Sequence, residues 1–147
     1  MKCDLFVLAE GVTNDARGAL TLVGINQRVI SPAALPFRAT FKAVVGITDE
    51  IDGPDGPDFE VLPDGELRVR VIDPSGTSQF AVSQIFKMPQ EKPQDKIPTV
   101  VNIIADVVVS GDSYGTYSAD IAYRFADGEE ESRRFYIYVV PPGSDIQ

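Results

Sequence analysis

Apolar and polar residues alternate along several stretches of the chain, and this alternation limits the folds that are open to it. Every odd position in residues 37–47 is apolar, whereas Arg38 and Lys42 fall on the opposite face. The same period of two continues through residues 66–71 and 117–125. Because successive side chains of a β-strand point to opposite faces, these stretches are typical of strands with one buried face.

Five further stretches are rich in the residue types that favour strands. They cover residues 5–9, 20–25, 80–86, 100–109 and 135–140. No apolar period of 3.6 residues continues for the length of a helix, and turn-forming segments such as Asp73-Pro74-Ser75-Gly76 separate the strands. We therefore predict an all-β fold, an antiparallel two-sheet sandwich of about eight strands, with a closed β-barrel as the alternative.

The size of the chain predicts a single domain that spans residues 1–147. Of these residues, 44% are hydrophobic and 24% are charged, which is ordinary for a globular domain with its own core. The single cysteine, Cys3, excludes an internal disulfide and fits a reducing compartment. The apolar run at residues 5–9 is shorter than a signal peptide or a membrane span requires, so we expect a cytoplasmic protein.

The acidic residues are concentrated in one segment between two predicted strands. Residues 49–66 hold eight acidic residues and no basic one, and they account for nearly all of the net charge of −9. Clustered carboxylates suit calcium, and the candidate ligands are Asp49, Asp52, Asp55 and Asp58. The spacing does not match an EF-hand loop, which favours the alternative of a solvated, solubilising loop.

Basic residues share the outward positions of two predicted strands. Arg38 and Lys42 lie on one of these strands, and Arg68 and Arg70 lie on the other. If the two strands are neighbours, the four side chains form a positive patch that can bind an acidic partner or the acidic segment of a second copy. The alternative is ordinary solvent-facing charge that protects strand edges.

Several residue types that catalysis requires are missing. The sequence has no histidine and one cysteine, which excludes Ser-His and Cys-His nucleophile pairs and the usual zinc sites. Neither of the common glycine-rich phosphate-binding motifs is present. We predict a protein that is not an enzyme and that needs no cofactor, with a carboxylate-based hydrolase as the remaining catalytic alternative.

Four motifs together resemble a family of small bacterial proteins of unknown function. They are residues 3–10 (CDLFVLAE), 18–24 (GALTLVG), 66–76 (ELRVRVIDPSG) and 115–117 (GTY), with Pro36 opening a strand. The resemblance covers most of the chain and implies a free-standing bacterial β-sandwich, but no activity, cofactor or partner. The Gly115-Thr116-Tyr117 motif is also similar to immunoglobulin-like sandwiches, so we expect that architecture.

These features predict a protein-interaction or structural module. It would act through a sheet edge or a surface patch, with a protein partner or a second copy of the chain. Nucleic acids and anionic membranes are not expected partners, because an acidic chain repels phosphate groups. A calcium-dependent binding module that uses residues 49–64 is the alternative function.

Overall fold

The structure, a computed structural model, describes residues 2–14, 16, 19–25, 28–48, 64–87, 100–125 and 130–143. These residues form ten β-strands: β1 (Lys2–Ala9), β2 (Gly11–Asn14), β3 (Leu20–Val23), β4 (Val29–Ile30), β5 (Phe37–Thr48), β6 (Gly65–Ile72), β7 (Ser78–Phe86), β8 (Val100–Gly111), β9 (Gly115–Phe125) and β10 (Glu130–Val139). All eight predicted strands are present. The two that were not predicted, β2 and β4, are four and two residues long, too short to show a period.

The strands form two main sheets and a separate hairpin. One sheet has the order β1-β5-β8, the other has the order β4-β10-β9-β6-β7, and β2 pairs with β3. All neighbours are antiparallel except β4, which is parallel to β10. The predicted two-sheet sandwich is confirmed, and the described strands do not close into a barrel. Within the same ranges, no helix is long and apolar enough to span a bilayer.

The core lies between the facing sides of the two main sheets. The ring of Phe6 on β1 lies 5.9 Å from that of Tyr123 on β9 and 6.1 Å from that of Phe135 on β10. At the other end of the sandwich, Phe37 packs edge-on against Tyr117, with 5.5 Å between the ring centroids. The period-2 alternation of the sequence therefore marks the inward faces correctly on both sheets.

The strand order and one corner are immunoglobulin-like. The series β10-β9-β6-β7 corresponds to strands G-F-C-C′ of that fold, and β1-β5-β8 corresponds to A-B-E. Where the chain crosses from β8 to β9, the buried Tyr117 donates its hydroxyl hydrogen to the carbonyl oxygen of Ser113 at 2.8 Å. This is the tyrosine corner of such sandwiches, and it explains why the Gly115-Thr116-Tyr117 motif predicted the architecture.

Candidate functional site

The four candidate calcium ligands, Asp49, Asp52, Asp55 and Asp58, lie outside the described residues. The calcium hypothesis therefore stays a prediction from the sequence. In the part of the chain that the structure describes, no group of three or more His, Cys, Asp or Glu residues could hold a metal ion.

The four basic candidates do not form one patch. Arg38 and Lys42 lie on β5, which pairs with β1 and β8, whereas Arg68 and Arg70 lie on β6, which pairs with β9 and β7. The two strands belong to different sheets, so their solvent-facing sides point away from each other. The periodicity gave the outward direction of each side chain, but the partner strands are set by contacts distant in sequence.

Two of the basic candidates, Arg38 and Lys42, lie on the outer face of the three-stranded sheet. Lys42 forms an ion pair with Asp106, its register partner on β8. Arg38 lies opposite Ser110 and is exposed. The other two candidates, Arg68 and Arg70, line a groove on the outer face of the other sheet, and this groove is the candidate site.

The outer face of the five-stranded sheet, called here the arginine face, combines charged, small and aromatic side chains. Its described members are Glu66, Arg68 and Arg70 on β6; Ala81, Ser83 and Ile85 on β7; Ser118, Asp120, Ala122 and Arg124 on β9; and Glu130, Ser132, Arg134, Tyr136 and Tyr138 on β10. Four arginines against three carboxylates give this set a net positive charge, although the whole chain is acidic.

A shallow groove of about 470 Å³ crosses the middle of the arginine face. Its floor consists of four small residues on three strands: Ala81, Ser83, Ala122 and Ser132. Arg68, Arg70 and Asp120 also line it. Because the floor side chains are short, another polypeptide can approach the sheet closely between the longer side chains.

Ion pairs neutralise most of the charges around the groove. Arg134 binds both carboxylate oxygens of Asp120, with its Nε at 2.6 Å and one terminal nitrogen at 3.0 Å. Arg68 lies 3.2 Å from Glu130 and 3.9 Å from Glu66. Arg70 has no described carboxylate within ion-pair distance, although its register partner on β9 is Asp120. Among the residues that the structure describes, Arg70 is therefore a cation of the groove without an ion pair.

Two tyrosines extend the arginine face along β10. Tyr136 and Tyr138 are 45% and 44% exposed. Tyrosine and arginine are among the residue types enriched where proteins bind one another. The sequence alternation indicates that these tyrosines share a face with Arg134, but it does not show how exposed they are.

A separate polar cluster lies between the sheets. The Tyr123 hydroxyl donates to Glu131 Oε2 at 2.5 Å, and burial together with this hydrogen bond raises the pKa of Tyr123. Burial also raises the pKa of the nearby Cys3 thiol. Arg133 lies 3.6 Å from Glu131 and covers the ring of Phe6 at 5.0 Å. The Tyr123 hydroxyl and the Cys3 thiol both keep their protons, because their pKa values are raised. The cluster therefore closes this side of the sandwich and offers no activated nucleophile.

The chain was compared with models of protein families, with curated proteins and with solved structures, and none of them matches it. Its function is therefore inferred from the arginine face itself.

Proposed function

We propose that this protein is a non-catalytic interaction module and that its arginine face binds an acidic segment of a protein partner. The observation that carries the proposal is the groove, where Arg70 stands without a described counter-ion above a floor of small residues. The expected setting, the bacterial cytoplasm, is supported by the family resemblance and by the single cysteine.

An acidic polypeptide fits the groove for two physical reasons. Arginine presents a planar set of donors that matches a carboxylate in a bidentate geometry, and Arg70 lacks a described carboxylate partner. The low floor between Ala81 and Ala122 allows an extended backbone to lie close to the sheet. The exposed rings of Tyr136 and Tyr138 then supply apolar contact area beside the charge.

The proposal is tested by fluorescence anisotropy with a labelled ten-residue peptide that is rich in glutamate. A peptide of the same length with glutamine in place of glutamate is the ligand control. We expect the acidic peptide to bind more tightly, and we expect Arg70→Glu to weaken its binding by about tenfold or more, because a close like-charge contact costs over 1.4 kcal/mol.

Arg38→Glu is the matched protein control, because it makes the same charge change on the outer face of the other sheet. It should leave the affinity within about twofold of the wild type, since surface charges this distant are screened at physiological salt. Equal losses for Arg70→Glu and Arg38→Glu would mean that only net charge matters and would contradict a site on the arginine face.

A further inference from the structure

β7 forms one edge of the five-stranded sheet. It pairs with β6 on one side, and no other described strand pairs with its second side. Its pairing is irregular only near Gln79, so residues 80–86 form a regular run of seven. The backbone groups on the open side of such a strand are available to another strand.

The other described sheet edges carry features that discourage pairing, whereas β7 lacks them. β4 has only two residues, β2 and β3 have four each, and β1 has a register shift between Cys3 and Leu5. β8 carries Asp106, which is 60% exposed. β7, with the sequence SQFAVSQIF, contains no charged residue and no proline. Charges, prolines, bulges and shortness are the devices that keep strand edges apart, so β7 is the least protected edge.

Exposed apolar side chains lie on this same strand. Ile85 is 75% exposed, and Val82, on the opposite face of the strand, is 40% exposed. A large aliphatic side chain on an unprotected edge gains free energy when a second strand covers it.

We propose that β7 pairs antiparallel with β7 of a second copy, with the two-fold axis at Ser83. In this register residues 80–86 overlap completely, and inward positions lie opposite inward positions. Ile85 then faces Ala81 of the second copy, and Phe80 faces Phe86 of the second copy. At four of the seven overlapping positions an apolar residue therefore faces an apolar residue, whereas Val82 faces Gln84. The apolar pairs at both ends of the overlap favour a second copy as the partner.

Charge also permits this pairing. Two chains of net charge −9 repel each other, but β7 itself brings no charged residue to the contact. The joined sheet would have ten strands, and the two grooves would lie on the same side of it, one on each side of the axis. The pairing is independent of the proposed binding of an acidic partner.

Sedimentation velocity over a range of protein concentrations tests the proposal. We expect reversible dimers of the wild type and an increase of about tenfold or more in the dissociation constant of Ile85→Lys, which replaces an apolar contact with an edge charge. Val23→Lys is the matched control, because Val23 is 53% exposed on β3. A wild type that is monomeric throughout, or equal effects of the two variants, would overturn the proposal.

Oxidation of cysteine variants with diamide tests the register. In Ser83→Cys the two thiols of the dimer lie side by side at the axis, and their Cβ atoms are about 5 Å apart. In Ile85→Cys the two Cβ atoms would be about 14 Å apart. We expect a covalent dimer from Ser83→Cys and little from Ile85→Cys or from the wild type, which has only Cys3. Faster cross-linking of Ile85→Cys than of Ser83→Cys would overturn this register.

Discussion

Asp120 lies between two arginines of neighbouring strands and forms its ion pair with only one of them. Its register partners are Arg70 on β6 and Arg134 on β10, and both carboxylate oxygens are bound by Arg134. Because a carboxylate held by a bidentate arginine has little remaining attraction for a second cation, the free charge of the groove resides on Arg70.

Removal of the Asp120 charge should therefore strengthen the binding of an acidic peptide. In Asp120→Asn, Arg134 also loses its counter-ion, and the groove gains one positive charge. We expect an affinity about threefold to tenfold higher than that of the wild type in the anisotropy assay. Asp106→Asn releases Lys42 on the other sheet and should leave the affinity unchanged. A weaker affinity for Asp120→Asn would contradict the proposed site.

Cys3 is expected to react slowly for a free thiol. Its thiol donates to the carbonyl oxygen of Leu5 at 3.4 Å, and burial is the main cause of its raised pKa. Since only the thiolate is nucleophilic, alkylation by iodoacetamide at pH 8 should be about tenfold or more slower in the folded protein than in urea. Intact-mass spectrometry measures both rates, and Val23→Cys provides an exposed thiol in the same fold as a control. Equal folded and unfolded rates at Cys3 would disprove this expectation.

The corner between β8 and β9 couples a glycine to a tyrosine. A Cβ atom at Gly111 would lie closer to the Tyr117 hydroxyl oxygen than real contacts allow, while the same hydroxyl binds Ser113. The corner thus depends on a small residue at the end of one strand and a hydroxyl near the start of the next.

A double-mutant cycle should reveal this coupling. Tyr117→Phe removes one hydrogen bond and should lower the free energy of unfolding by about 1 kcal/mol, and Gly111→Ala should cost more than that in the wild type. In the Tyr117→Phe background, Gly111→Ala should cost less, because the hydroxyl it meets is gone. Urea denaturation followed by circular dichroism measures all four proteins. Additive effects would show that the close approach is not energetically important.

The turn between β6 and β7 should contribute stability that depends on pH. Asp73 Oδ1 accepts hydrogen bonds from the Ser75 hydroxyl at 2.6 Å and from the backbone N–H groups of Ser75 and Thr77 at 2.9 Å. These bonds, the Ser75 hydroxyl foremost, lower the pKa of Asp73 in the folded state. A lowered folded-state pKa gives stability that is present above the unfolded pKa and is lost as the pH falls through the folded pKa.

Asp73→Asn tests this pH dependence. The variant keeps an acceptor oxygen but has no charge, so its Tm should be lower than that of the wild type near pH 7, and the difference should shrink towards pH 3. Asp112→Asn, in the turn between β8 and β9, is the control for a general loss of acidic charge. A Tm difference that stays constant from about pH 7 to pH 3 would exclude the Asp73 carboxylate as its cause.

The sequence predicts the direction of side chains within a strand but not which strands become neighbours, and the reason is physical. The alternation within β6 correctly predicted that Arg68 and Arg70 point outward, because side-chain direction in a strand is a local property. The alternation did not predict the groove, because its other residues lie on β7, β9 and β10. These strands are brought together by pairings between residues far apart in sequence. Asp120 illustrates this, since its two arginine neighbours are 50 and 14 positions away.

At the scale of the whole molecule, the two sheets of the sandwich are unequal. Three strands face five, so the edge strand β7 has exposed side chains on its inward face as well, as the 40% exposure of Val82 shows. The wider sheet carries both the arginine face and the open edge. Both proposals therefore concern the same sheet, whereas the narrower sheet carries the paired Lys42 and serves as the source of control variants.

The acidic residues of the chain could respond to calcium either through a specific site or through simple charge screening, and thermal melts distinguish the two. Residues 49–66 hold eight of the 22 acidic residues. If this segment is a solvated loop, as its spacing favours, calcium acts only as a counter-ion. We then expect the same Tm, within about 1 °C, in millimolar calcium, in millimolar magnesium and in chelator at matched ionic strength.

A specific calcium site would give a different result in these melts. Calcium at a hundredfold excess over its dissociation constant adds about 2.7 kcal/mol, which raises the Tm of a domain of this size by about 5 to 10 °C. Such a rise with calcium but not with magnesium, lost in Asp52→Asn or Asp55→Asn, would refute the solvated-loop interpretation. It would also make the segment a ligand-controlled element, because one bound calcium ion would change the net charge of −9 to −7.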